Sequence, residues 1–164
     1  MTISYQGQGK FTIKSKDATI LLGETIKVGE RQLPGPGEYE ISGVEVEGLD
    51  DGIFLIRTED VFLLYLSRIN RVPTTQELEA ANVADILFIP VGGTNTDVEG
   101  VTVLTPDQSV KVINEIDPRI VVPMYFASIE PFRAAEGKPL EMLKELKVTK
   151  ASLPTEDRQV VVLT

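Results

Sequence analysis

The side chains that most often hold catalytic metals are absent from this sequence, which contains no histidine and no cysteine. Zinc, iron and copper sites draw their donors mainly from imidazole, thiolate and carboxylate groups. With two of the three donor types missing, chemistry on such an ion is not expected, and no metal or other cofactor is assigned. The same absence removes Ser–His–Asp and Cys–His nucleophile sets. There is no Gly-x-Ser-x-Gly elbow and no phosphate loop of the Walker type. Gly7-Gln8-Gly9 follows a strand-like run, but no helix pattern follows it, so it reads as a tight turn rather than a dinucleotide loop. No catalytic residue is therefore expected.

Carboxylates remain as oxygen ligands for hard cations, but no Asp-x-Asp-x-Asp-Gly loop is present. Glu38, Glu40, Glu45 and Glu47 recur at period two, the pattern of a solvated strand face. Asp50-Asp51-Gly52 suits a hairpin turn. A paired-carboxylate hydrolase stays open at this level, because its defining distance is one in space. Gly92-Gly93-Thr94-Asn95 lies just past a buried strand over residues 86–90. Glycines there permit close backbone approach to a ligand, or simply a tight loop, and the loop is the favoured reading.

The elements that must position these residues divide the chain in two. The first half reads as strands: 3–5, 10–15, 18–22, 39–42, 44–48, 53–58 and 61–66. Phe11, Ile13, Ala18 and Ile20 alternate at period two. Leu33-Pro34-Gly35-Pro36-Gly37 is a rigid turn. Residues 53–56 and 61–66 are nearly continuous apolar runs, as expected of strands covered on both faces. The second half alternates strand and helix. Thr74 with Glu77 forms a capping box, and Thr105-Pro106-Asp107-Gln108 is a strong helix start. Val110 and Ile113 give that second helix its apolar stripe, and Pro118 stops it. Strands are expected at 86–90, 120–123 and 159–164. Leu140, Leu143 and Leu146 fall at helical spacing behind Pro139 and predict a helix over 140–146. No linker or repeat interrupts the pattern, so residues 1–164 form one domain with sheet layers covered by helices.

Composition narrows the partners. Of 164 residues, 25 are acidic and 16 basic, a net charge of -9. Such a field repels phosphate backbones, and the basic residues form no run, so nucleic acid is a poor partner. No apolar stretch approaches a membrane span, and the N-terminus has no signal-peptide pattern, so a cytoplasmic location is expected. A small molecule, another protein or a second copy of the chain remain as partners.

Several segments together resemble the metallo-β-lactamase superfamily, in particular its small Zn-dependent hydrolase-like branch. They are Ile3-Ser4-Tyr5-Gln6-Gly7-Gln8-Gly9-Lys10-Phe11, Gly35-Pro36-Gly37-Glu38-Tyr39-Glu40-Ile41-Ser42-Gly43-Val44, Asp85-Ile86-Leu87-Phe88-Ile89-Pro90-Val91-Gly92-Gly93, Asp117-Pro118-Arg119-Ile120-Val121-Val122-Pro123-Met124, and the ending Leu153-Pro154 with Val160-Val161-Val162-Leu163. They occur in the family's order and span nearly the whole chain.

The resemblance implies an α/β (α+β) fold: a truncated four-layer αββα sandwich, two mixed β-sheets flanked by helices. It also implies a site at one edge of the sandwich, where strand-end loops would carry His and Asp ligands. At those positions the match fails. Gln8 stands where the family's first turn has His. Tyr65-Leu66-Ser67-Arg68 stands where the family has His-Leu-Gly-Asp, so Arg68 replaces the bridging Asp. Tyr125 stands where a later His is usual. The His-x-His-x-Asp-His loop has no room between Gly23 and Pro34. The resemblance thus implies a remnant pocket of Gln8, Tyr65, Arg68, Asn70, Gly92, Gly93, Asn95 and Tyr125. Two roles are open for Arg68: reaching solvent or pairing with Asp97 or Glu38, or filling the vacated cavity and offering a fork to an anion. The functional expectation is a metal-free, catalytically inactive binding or scaffolding domain. The alternative is a hydrolase with a remodelled, non-zinc site.

Overall fold

The alternation of apolar and polar residues near the N-terminus builds an antiparallel sheet. Strands β1 (Thr2–Gly7), β2 (Lys10–Lys14) and β3 (Thr19–Leu22) pair in sequence, followed by the short β4 (Lys27–Val28) and β5 (Arg31–Gln32). Strand β13 (Glu145–Lys147) closes the other edge, giving the order β13-β1-β2-β3-β4-β5. Ile3, Phe11, Ile13, Ile20, Leu22 and Val28 all point inward and are buried. The computed structural model describes residues 1–50 and 52–164. Asp51, within the expected 50–52 turn, lies outside the described residues.

The second sheet has eight strands, in the order β12-β14-β11-β10-β9-β8-β7-β6. Its strands are β6 (Gly37–Ile41), β7 (Val44–Asp50), β8 (Ile53–Thr58), β9 (Val61–Leu66), β10 (Ile86–Pro90), β11 (Ile120–Met124), β12 (Leu140–Leu143) and β14 (Gln159–Leu163). From β9 to β12 the pairs are parallel; from β9 to β6 they are antiparallel. One of the two sheets is thus mixed, and the six-stranded sheet is antiparallel throughout.

The doubly apolar runs have the consequence expected of them. Phe54, Ile56, Leu63, Tyr65, Phe88 and Val122 meet the inner face of the first sheet. Ile53, Leu55, Leu64, Leu66, Leu87 and Val121 on the opposite face meet the helices. All three described helices lie on that side: α1 (Thr75–Ala81), α2 (Pro106–Ile116) and α3 (Glu130–Glu136). The outer face of the six-stranded sheet carries no described helix, so the described residues form three layers rather than the four expected. No described helix is long and apolar enough to cross a membrane.

Both predicted helix starts are capping boxes. Thr74 and Thr105 accept from the backbones of Glu77 and Gln108, whose side chains return the bond. The helix expected over 140–146 does not form. Leu140 and Leu143 are three apart on β12, so they face opposite sides of the sheet, while Leu146 lies on β13 in the other sheet. Leu143 and Leu146 reach the core between the sheets from two different strands and Leu140 the helix side, so the helical spacing is a coincidence. Helix α3 was not signalled. It has no side-chain N-cap and, of its apolar residues, only Phe132 is fully buried.

Candidate functional site at the strand ends

The parallel strands β9, β10 and β11 run side by side, so the residues after their carboxyl ends gather at one edge of the sandwich. In open α/β sheets such edges are where ligands bind. Arg68 follows β9, the Gly92–Asn95 loop follows β10, and Tyr125 follows β11. The β1–β2 turn, with Gln8 and Gly9, reaches the same edge from the other sheet.

Tyr125 dominates the arrangement. It is fully buried and holds a left-handed backbone, φ 55°. Its neighbours determine that conformation. Val91 N–H donates to the Met124 carbonyl at 3.0 Å, and Ala127 N–H donates to the Asn95 carbonyl at 2.9 Å. Gly92 allows the close passage: a Cβ there would lie 2.1 Å from the Tyr125 carbonyl oxygen. Gly93 N–H donates to the Leu104 carbonyl at 2.8 Å and its carbonyl accepts from Val103. The glycine pair is thus accounted for by backbone packing within a loop.

The Tyr125 ring lies on Gly9. A Cβ on Gly9 would come 2.2 Å from its Cζ, and Gly9 itself has φ 72°, so both space and backbone require glycine. Beneath it, buried Tyr65 donates its hydroxyl to the Gly9 carbonyl at 3.0 Å, with the Gly23 carbonyl at 3.2 Å as second acceptor. Burial, with Tyr125 beside it, pushes the Tyr65 phenol well above the ordinary range, so it stays neutral. Tyr65 and Phe11 both pack edge-on against Phe88, joining this floor to the core.

Arg68 closes the top. Its Nε donates to the Tyr125 hydroxyl at 3.4 Å, and its guanidinium carbon is 5.9 Å from the ring centroid. Its partner carboxylate is Glu24, and neither of the residues named from sequence. Asp97 instead accepts from the Tyr5 hydroxyl at 2.9 Å. Glu38 lies on the outer face of β6, opposite Glu47. The hydrogen bond to the Tyr125 hydroxyl first, and then the Glu24 carboxylate, favour the charged guanidinium.

The remnant pocket is therefore only partly assembled. Tyr65, Tyr125, Arg68 and Gly92 come together, but as a packed plug. Gln8 is exposed at its turn with φ 54°. Asn95 has an exposed side chain and contributes backbone bonds. Asn70 and Arg68 face a neighbouring cleft of about 530 Å³, floored by Ile26, Leu33 and Phe54. Glu24 and Arg71 also line it, and Arg71 is engaged by Asp50 and Glu77. Gly9, Glu24 and the Tyr5–Asp97 bond were not singled out from sequence. The Gly-x-Gly turn was visible, but the ring that makes its second glycine obligatory arrives from a residue 116 positions away.

Residues 11–125 match the profile of a β-lactamase superfamily domain. The chain belongs to the metallo-β-lactamase superfamily. A candidate Zn-dependent hydrolase of this superfamily from Thermotoga maritima shares the fold at TM-score 0.81 and 18% identity over 100% of both chains. A metallo hydrolase from the archaeon Ignicoccus hospitalis aligns at TM-score 0.57 and 11% identity, covering 83% of this chain and 90% of its own. No curated protein sequence matches the chain.

A metal ion is what this superfamily implies, and the side chains at the strand ends do not fit one. The neutral donors there are Gln8, Tyr65 and Tyr125, all poor zinc ligands. Arg68 brings a permanent positive charge, which repels a dication. The nearby carboxylates Glu24 and Asp97 are already engaged by Arg68 and Tyr5. Among the described residues, no three His, Cys, Asp or Glu side chains converge.

Proposed function

We propose that this chain is a metal-free, non-catalytic member of the superfamily that works as a binding or scaffolding domain. One observation carries the reading. The strand-end position is filled by the buried Tyr125 ring, seated on Gly9 and capped by the Arg68–Glu24 pair. A reacting group would need this space. The open volume lies beside it, in the cleft lined by Arg68 and Asn70, whose size falls within the range of small-molecule pockets.

A remodelled hydrolase has less support. Such an enzyme needs a nucleophile within reach of a base. Ser67 Oγ donates to the Gly23 carbonyl at 3.4 Å. Tyr65, held neutral, is no base. A screen of ester and phosphoester substrates tests the reading, with Arg68→Ala and Tyr125→Phe as controls. The expected result is background turnover in all three proteins. Turnover by the wild type that falls in either variant overturns it.

A further inference from the structure

Among the described residues, two patches of sheet surface have no helix lining them, and they carry opposite charge. The first is the outer face of the six-stranded sheet. Lys10, Thr12 and Lys14 on β2, Thr19 and Leu21 on β3, and Lys27 on β4 point outward there. The pairing register places Leu21 opposite both Thr12 and Lys27. Lys10 and Lys14 are therefore its diagonal neighbours across β2, about 7–8 Å away. Leu21 is 40% exposed, so an apolar side chain stands at the centre of three lysines. None of the three forms an ion pair with a described residue.

The second face is the β6–β8 end of the eight-stranded sheet, on the helix side, at a hollow lined by strand residues alone. Glu38 pairs with Glu47 and Glu40 with Glu45 directly across β6 and β7. Like charges directly opposite one another destabilise a sheet. Only Glu45 has a described cationic partner, Arg57 at 3.4 Å, which it shares with Asp60. The four carboxylates rim a hollow of about 400 Å³ floored by Phe62 and the largely buried Leu55, and Arg57 also lines it, 5.5 Å from the Phe62 ring centroid. Glu38, Glu40 and Glu47 form no ion pair with a described residue.

We propose that these faces bind each other between copies of the chain, Leu21 of one copy seating in the Leu55–Phe62 hollow of the next. Lys10, Lys14 and Lys27 then meet the glutamate rim. The charges are complementary: an apolar projection ringed by three lysines faces a hollow ringed by four carboxylates, of which only Glu45 is paired, with the Arg57 that lines the hollow. Because the two faces lie on opposite sides of the sandwich, the contact is heterologous and propagates head to tail. The area is small, so association is weak and reversible. The net charge of -9 opposes it at long range, but at physiological ionic strength charges beyond about 8 Å are screened and the facing surfaces decide. This inference goes beyond the proposed function and draws nothing from the strand-end plug.

Sedimentation velocity on the full chain, over a range of concentrations at low and high salt, tests it. Concentration-dependent association that weakens with salt is expected. The sign is informative, since screening net repulsion alone would strengthen a purely apolar contact. Lys14→Glu with Lys27→Glu makes both faces acidic, and Glu40→Lys with Glu47→Lys makes both basic. Each pair of changes is expected to weaken self-association about tenfold or more, and an equal mixture of the two variants to restore it. All positions are on the surface, and circular dichroism verifies folding. A wild type that stays monomeric at low salt, association indifferent to the charge reversals, or a mixture that fails to associate would each overturn the proposal.

Discussion

Replacing Gly9 by alanine adds one methyl group at the point where the Tyr125 ring rests. The new Cβ would sit 2.2 Å from the ring, in a backbone with φ 72°. Two costs follow. A non-glycine residue in the left-handed region costs roughly 1–2 kcal/mol. Forcing a packed ring aside costs roughly 1–3 kcal/mol more. Gly7 separates them: it also has positive φ, 89°, but nothing lies within 4 Å of a Cβ built there. Gly7→Ala should therefore show the backbone cost alone. Urea denaturation of both variants measures the difference, expected at roughly 1–3 kcal/mol. A double-mutant cycle with Tyr125→Ala sharpens the assay, because removing the ring should relieve most of the steric part of Gly9→Ala. Equal destabilisation by Gly7→Ala and Gly9→Ala, with additivity in the cycle, would refute the plug.

Other expectations concern separate parts of the molecule. Burial, reinforced by the hydrogen bond to Asp97, pushes the Tyr5 phenol up to about 12. The fold thus favours the protonated phenol, so this stabilisation is complete below its ordinary value near 10 and is lost as pH rises towards 12. Denaturation across that window should show a shallower decline for Tyr5→Phe than for the wild type; parallel declines would exclude the effect. Thr105→Ala removes the N-cap of α2 and should cost about 1 kcal/mol, measured as a lower urea midpoint with unchanged slope. The Arg71 guanidinium lowers the Glu77 carboxyl below its ordinary range. That contribution is present above the unfolded value and is lost as pH falls through the folded one, so Arg71→Met should flatten the acid limb of the stability profile.

Most of the fold was legible because burial is periodic. Strands β8 and β9 declared themselves by apolar residues on both faces, and α1 and α2 by capping boxes that need only four residues to recognise. The leucines at 140, 143 and 146 misled because they lie on two strands and serve both faces of the eight-stranded sheet, and their spacing happened to match a helix. Helix α3 escaped because it contributes little beyond Phe132 and has no polar cap. At the strand ends, the residues expected in place of the family's ligands could be named one by one. Their outcome could not. Arg68 pairs with Glu24, because Asp97 is drawn to Tyr5 across the sandwich and Glu38 belongs to another face. Gly92 and Gly93 serve the Tyr125 turn, a contact between segments far apart in the chain. Long-range packing of this kind leaves no local signature.

The central claim is that the strand ends of this superfamily member do not hold a metal. Elemental analysis by plasma mass spectrometry, on protein purified without chelators and then dialysed against zinc, iron or manganese, addresses it directly. Far less than one bound ion per chain is expected under every condition. A single equivalent of any of these metals, retained through dialysis and lost in Glu24→Ala or Asp97→Ala, would contradict it.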